Sequence, residues 1–136
     1  MNKSNLIHGL LSNALNTFAT GQSVNVVWEG RPEDPSQVLY LREWLIMGRG
    51  TGLCLGPTAP NAAPGIYQVD VVDSVSEWGT AYTMANDLLT AFYRGSTLTT
   101  TGVRILIETG QTGPGMRIDS KYVLPVTIPF TAHVTL

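Results

Sequence analysis

The chain has 136 residues, the usual size of one domain, and we treat residues 1–136 as a single folded unit. A net charge of −2, without a run of five or more Lys and Arg residues, argues against a surface that binds nucleic acid or membrane. No signal peptide or membrane-spanning segment is recognisable, and the single Cys54 excludes an internal disulfide, so a reducing cytoplasm is expected.

The first half of the chain predicts one helix and two strands. Apolar residues recur every three or four positions over residues 6–18, which is typical of an amphipathic helix. Residues 24–28 predict a short strand, and residues 38–47 predict a second one after the proline-containing loop 29–36. Residues 48–64 are rich in Gly and Pro and predict an unusually long loop.

The second half predicts a strand at 65–73, a helix from about residue 76 to Gly95, a strand at 103–109, and one or two strands within 117–136. The first of these strands has two alternating faces: Ile66, Gln68 and Asp70 against Tyr67, Val69 and Val71. The helix has one apolar stripe: Trp78, Ala81, Ala85, Leu88, Leu89 and Phe92. We therefore predict an α+β fold in the order α-β-β-β-α-β-β, with a twisted, mostly antiparallel sheet and both helices on one face.

Two prolines give a clue to the place of the last strand. Pro125 and Pro129 lie four positions apart, so both lack a hydrogen-bond donor on the same lateral edge. Proline is tolerated mainly at sheet edges and bulges. We therefore expect this edge of the strand to be exposed or bulged.

The histidines and the cysteine do not form a catalytic or metal-binding motif. His8 is expected near the polar side of the first helix, and His133 lies in the last strand, with no spacing typical of a metal site between them. Cys54 has no nearby cation in sequence to lower its pKa, so a role as a small apolar filler is favoured over a nucleophile.

Two further patterns predict a structural role and not a catalytic or ligand-binding site. Asp70 and Asp73 point to opposite faces of a regular strand, and Asp73 is expected to cap the following helix. The run from Gly48 to Gly52 has the glycines of a phosphate-binding loop but no helix after it. The sequence thus predicts no catalytic residue, no metal and no cofactor.

The charged fraction is low. Asp, Glu, Lys and Arg make up 13% of the chain, about half of the ~25% that is typical of soluble domains. Arg, which outnumbers Lys six to two, is favoured at interfaces because its planar fork makes several directed hydrogen bonds. Either hydroxyl groups keep the surface soluble, or partner subunits cover much of it.

Several segments, taken in order, resemble one known family. They are Val26-Val27-Trp28-Glu29, Tyr40-Leu41-Arg42, Gly65-Ile66-Tyr67-Gln68-Val69-Asp70-Val71, Ala85-Asn86-Asp87-Leu88, Phe92-Tyr93-Arg94-Gly95 and Pro125-Val126-Thr127-Ile128-Pro129-Phe130. In this order and spacing, after an apolar first helix, the chain resembles the phage tail terminator proteins of long non-contractile tails.

The resemblance implies a non-enzymatic subunit that forms a ring, commonly a hexamer. Such a ring caps the tail tube protein, stops polymerisation, and offers a surface to a head-side neck or connector protein. It implies a place at the tail end of the virion after assembly in the host cytoplasm. DNA would only pass through the lumen, and no membrane or cofactor is implied. In such a ring we expect Arg49 and Arg104 to cross between subunits, with Leu53 and Leu55 as further interface candidates.

Two other classes of function stay open at this point. The first is another neck or tail subunit, such as a head-closure or tail-tube protein, since these are also small α+β proteins. The second is a small cytoplasmic α+β enzyme that uses the loop 48–64 as a lid, which would require polar groups converging in a pocket.

Overall fold

The computed structural model describes residues 3–32, 38–47, 51–52, 60–74 and 78–135. Within these residues the chain forms two helices and nine strands. In chain order they are α1 (Lys3–Gln22), β1 (Asn25–Val27), β2 (Tyr40–Met47), β3 (Thr51–Gly52), β4 (Pro60–Ser74), α2 (Trp78–Ala91), β5 (Thr97–Thr100), β6 (Val103–Ile107), β7 (Gln111–Thr112), β8 (Met116–Ile118) and β9 (Lys121–Thr135). No described helix has both the length and the apolar character to cross a membrane.

The described strands form one sheet in the order β1-β2-β4-β9-β6-β5, with β3 beside β4, and β7 and β8 beside β9. Strands β4 and β9 are antiparallel partners over all of their 15 residues, from Pro60 opposite Thr135 to Ser74 opposite Lys121. The β1–β2 pair is parallel, and the other described pairs are antiparallel. The predicted α+β fold with a mostly antiparallel sheet is confirmed.

Alternation along the strands places the core between the sheet and the helices. Tyr67, Val69 and Val71 of β4 are buried, whereas Ile66 on the opposite face is 36% exposed. The helices contribute one buried stripe each: Ile7, Leu11, Leu15 and Ala19 from α1, and Ala81, Met84, Ala85, Leu88 and Phe92 from α2. Both predicted helical faces therefore pack on the same side of the sheet.

The two helices contact different parts of the sheet. Helix α2 lies against the central strands β4 and β9, while α1 contacts β1 near one end of the sheet and β5 and β6 at the other. One helix reaches both ends only because the sheet curls around the core, as twisted sheets do.

The predicted loop 48–64 is wrong in part. Residues 60–64 belong to β4, and Thr51 and Gly52 form β3 opposite Ala62 and Asn61. The segment Pro60-Asn-Ala-Ala-Pro64 shows no apolar alternation, but the long apolar partner β9 pairs with it and so extends the strand. The rest of that loop, with Arg49, Leu53 and Leu55, lies outside the described residues.

The expected edge at Pro125 and Pro129 is bulged and not exposed. Strand β9 lies inside the sheet, with β4 on one side and β6, β7 and β8 on the other. The register against β9 shifts by one residue between β6 and β7, beside Pro129, and again between β7 and β8, beside Pro125. The carbonyl oxygens of Pro129 and Pro125 accept hydrogen bonds from the amides of Glu108 and Gly113, at 2.9 and 2.8 Å. Both prolines thus lie beside the junctions between β6, β7 and β8. At these places no hydrogen bond between strands requires the amide hydrogen that proline lacks.

The buried helix stripe leads to a stability prediction. Leu88 is fully buried between α2 and the sheet, so Leu88→Ala leaves a cavity and should cost about 2–5 kcal/mol of unfolding free energy. Asn86→Ala, at an exposed position of the same helix, is the matched control and should change it by no more than about 0.5 kcal/mol. Chemical denaturation measures both, and a loss below about 0.5 kcal/mol for Leu88→Ala would contradict the packing described above.

Candidate interaction surface

No described helix covers the second face of the sheet, and large apolar side chains are exposed there. Trp44 and Ile46 of β2 are 38% and 51% exposed, and Ile66 of β4 is 36% exposed. Ile66 lies between Ile46 on one neighbouring strand and Pro129 on the other. These side chains form a contiguous apolar area. The same face also carries a buried apolar cluster of Val27, Tyr40, Val72 and Val123 farther along the strands.

A groove of about 300 Å³ lies in this area. Its lining is mostly apolar: Ile46, Pro64, Gly65, Ile66, Glu108, Pro129 and Phe130. The floor of the groove requires glycine at position 65. A Cβ atom there would lie 2.5 Å from Cζ of Phe130 and 3.0 Å from the carbonyl oxygen of Ile46. Gly65 therefore lets the Phe130 ring pack under the groove and fix its shape. We call this feature the Ile46–Ile66 groove.

A second apolar surface lies on the hairpin formed by β8 and the start of β9. All three residues of β8 are exposed, and its two large apolar side chains, Met116 and Ile118, are 51% and 49% exposed. They lie opposite Val123 and Lys121 of β9, and the turn between the strands contains Asp119 in a left-handed conformation (φ 54°). We call this hairpin, residues 116–123, the β8–β9 arm.

A polar cluster separates the two apolar surfaces. The carboxylate of Asp70, which is 5% exposed, accepts hydrogen bonds from Nε2 of Gln68 at 2.9 Å, Nε1 of Trp44 at 3.1 Å and Nη2 of Arg42 at 3.4 Å. The Arg42 guanidinium lies 5.1 Å from the centre of the Trp44 ring. Asp70 thus orients Trp44 and Arg42, and its position on the face opposite the buried Asp73 agrees with the expected strand geometry.

Of the four interface residues expected from the sequence, Arg104 alone lies within the described residues. Arg104 is exposed on β6, between Thr99 of β5 and His133 of β9. Arg49, Leu53 and Leu55 fall outside the described part of the chain. The carboxylate of Asp73 accepts the Ser74 amide hydrogen at 2.7 Å. That Asp73 caps the helix that follows stays a prediction.

A buried polar cluster, which no pattern in the sequence was taken to predict, attaches α1 to the sheet. Glu43 of β2 is fully buried, and its carboxylate lies 2.6 Å from Nε2 of His8, 2.7 Å from Oγ of Ser12 and 3.4 Å from Oη of Tyr67. An ionised carboxylate only accepts hydrogen bonds, so these three groups act as donors. The spacing of His8 and Ser12, one turn apart on α1, was a signal in the sequence, since both point to the same side of the helix.

The cluster contains Ser, His and Glu but lacks the geometry of a catalytic triad. In a triad the imidazole lies between the hydroxyl and the carboxylate and takes the proton of the hydroxyl. Here Ser12 donates directly to Glu43, as does His8, so the imidazole does not lie between the hydroxyl and the carboxylate. Among the residues that the structure describes, no three His, Cys, Asp or Glu side chains are grouped to hold a metal ion. The arrangement compensates a buried charge and fixes α1 on the sheet.

Glu43→Gln tests this role of the cluster. The amide keeps the size of the side chain but loses the charge, and its NH2 group opposes the donors around it, so we expect a loss of about 1.5–3 kcal/mol in unfolding free energy. Asp87→Asn, which removes the charge of an exposed carboxylate on α2, is the control and should change the stability by no more than about 0.5 kcal/mol. Equal stability of both variants by chemical denaturation would show that Glu43 does not hold α1.

Through Tyr67, the stability that this cluster contributes depends on pH. Burial, and next the Glu43 carboxylate, raise the pKa of Tyr67 well above its ordinary value. The neutral phenol therefore contributes stability in full below the ordinary pKa of about 10, and this contribution is lost as the pH rises further. Tyr67→Phe should reduce the slope of unfolding free energy against pH above pH 10 by up to about 1.4 kcal/mol per unit. Tyr93→Phe, which removes an exposed phenol, is the control, and identical slopes for wild type and Tyr67→Phe would contradict the prediction.

Comparisons with known proteins identify similar structures and a family. Comparison with curated proteins returns no match. One solved structure matches with a TM-score of 0.76 at 18% identity, over 98% of this chain and 96% of that chain. A chain from a structure titled "Virion of native gene transfer agent (GTA) particle" matches with a TM-score of 0.61 at 13% identity, over 93% of each chain.

These two structures share the fold of this chain. The family model described as phage tail terminator protein matches residues 6–130, which include both helices from Leu6 onward and most of the sheet. The chain therefore belongs to the phage tail terminator protein family, whose members are structural subunits of phage tails.

Proposed function

We propose that this protein forms a ring, commonly of six copies, that caps the tail tube and stops its polymerisation. The observation that carries the proposal is the family match over residues 6–130. The exposed apolar area on the uncovered sheet face, in a chain with only 13% charged residues, supports burial of this surface by other subunits.

The ring would have two kinds of neighbour. One side contacts the tail tube protein, and the other offers a surface to a head-side neck or connector protein. DNA passes through the lumen without a binding site, in keeping with the net charge of −2. The subunit acts as a structural part of the virion at the tail end, is assembled in the host cytoplasm, and catalyses no reaction.

The assembly state of the purified protein tests the ring. We expect light scattering to give about six times the 14.7 kDa mass of one chain, and negative-stain images to show closed rings. Open tubes would favour a tail-tube protein, and monomers at every concentration would contradict the ring.

Termination itself needs a separate measurement. Tails assembled without this protein should grow beyond their normal length, because the tube end stays available for further subunits. Adding the purified protein during assembly should restore the normal length. Tails of normal length in its absence would contradict a role in termination, whatever the shape of the purified assembly.

A further inference from the structure

We propose that a pocket on the face of the sheet opposite the helices binds the Asp87 carboxylate of the next copy. This inference rests on the proposed ring and names one contact between its subunits. The occupant of the pocket is thus helix α2 of a second copy of this chain.

The pocket has a volume of about 420 Å³ and lies on the same face of the sheet as the Ile46–Ile66 groove. Its floor is apolar, because Tyr40, Val72 and Val123 are buried neighbours on β2, β4 and β9. The remaining lining residues are polar or lie in the β8–β9 turn region: Arg42, Ile118, Asp119, Ser120 and Lys121. We call this feature the Lys121 pocket.

Lys121 supplies the cation that a ligand would meet. Its Nζ atom donates to Oη of Tyr40 at 3.2 Å and lies 4.8 Å from the centre of the Tyr40 ring. These contacts hold the ammonium group in place without a negative charge beside it. No described carboxylate forms an ion pair with Lys121, although its side chain is half-buried. An anion that entered the pocket would be attracted with little screening by water.

The charge of the lining favours an anionic ligand. Two cations, Arg42 and Lys121, line the pocket against one carboxylate, Asp119, which is exposed at the turn. Arg42 already contacts Asp70 at 3.4 Å, so Lys121 is the cation that remains for a carboxylate from outside. A carboxylate carried on a small, uncharged surface fits both the cation and the apolar floor.

Asp87 is such a carboxylate. It is exposed on α2, on the side away from the buried stripe that contains Ala85 and Leu88, and it has no ion pair among the described residues. Helix α2 has no Lys or Arg that could pair with it. The neighbouring exposed side chains are small and uncharged: Thr83, Asn86 and Thr90. The two threonine hydroxyls donate to carbonyl oxygens of their own helix, so Asp87 is the charged group that this surface presents.

The other described carboxylates do not suit a ring contact with this pocket. Three of them, Glu43, Asp70 and Asp73, are buried in their own copy. Glu29 accepts the amide hydrogen of Leu45 at 3.0 Å. The last two, Glu108 and Asp119, lie on the same face as the pocket, where a contact between copies would be reciprocal and would form a pair.

Asp87 and the Lys121 pocket lie on opposite sides of the molecule. Helix α2 packs on the face of the sheet that carries Tyr67, Val69 and Val71, and the pocket opens on the other face. Asp87 therefore cannot reach the pocket of its own copy. A contact between opposite sides of identical chains is heterologous, and it closes into a ring when the rotation between copies permits.

A charge exchange tests the contact. Asp87→Lys and Lys121→Glu each place like charges together, and each should raise the concentration for half-assembly in sedimentation experiments by about tenfold. The double variant restores an attractive pair at every contact and should return to within about threefold of wild type. Arg31→Glu makes the same change of charge at an exposed position that does not line the pocket, and it should assemble like wild type.

Mixing the two single variants tests whether the contact joins different copies. Where the variants alternate around a ring, the Lys121→Glu pocket faces the Asp87→Lys helix, and the unchanged pocket faces the unchanged helix. Every contact is then attractive, so an equal mixture should assemble like wild type although each variant alone does not. Alternation requires an even number of copies, which the proposed six satisfy.

Two measurements separate a lost contact from a lost fold. Asp87 is exposed, so Asp87→Lys should unfold like wild type at concentrations below assembly. Lys121→Met keeps the length of the side chain and removes its charge, so it should weaken assembly even if Lys121→Glu does not fold.

The outcomes distinguish this inference from the ring proposal. If wild type forms rings and Asp87→Lys assembles equally well, the contact is wrong and the ring stands. The same conclusion follows if neither the double variant nor the mixture recovers assembly, or if Arg31→Glu weakens assembly as much. If wild type does not assemble at all, both proposals are contradicted.

Discussion

The pairing of β4 with β9 is the constraint on which the rest of the structure depends. Because it runs over 15 residues without interruption, it decides which side chains of two long strands face the helices and which face away. One face receives Tyr67, Val69 and Val71 and forms the core with α1 and α2. The other face receives Ile66 and Pro129 and forms the groove. The register of this one strand pair therefore determines both the core and the candidate interface.

Two buried carboxylates strengthen the two sides of this sheet in different ways. Glu43 lies on the helix side, where donors from α1 and β4 compensate its charge and tie the first helix to the sheet. Asp70 lies on the opposite side, where it orients Trp44 and Arg42 beside the apolar area. A rigid scaffold with an ordered outer face suits a protein that must fit neighbours repeatedly in the same geometry.

Periodicity in the sequence was sufficient to predict the two helices, the alternating faces of β4 and β6, and the fold class. It could not reveal residues 60–64 as strand, because their Pro and Ala content is overridden by pairing with β9. It also could not reveal the short strands β5 and β7, which depend on pairing with β6 and β9. Pro125 and Pro129 indicated a lateral side without donors, but only the structure shows that this side faces gaps between strands. The burial of Glu43 was not predicted, because a charged side chain is buried only where partners compensate its charge, and these partners are distant in sequence. The groove and the arm also depend on tertiary pairing, which no local pattern encodes.

The central claim is that the sheet face left open by the helices is covered in the assembly. A cryo-electron microscopy structure of the assembled protein, at a resolution that shows side chains, tests it most directly. The account predicts that Trp44, Ile46 and Ile66 of each copy are buried against a neighbouring copy. An assembly in which these three side chains face solvent would contradict it.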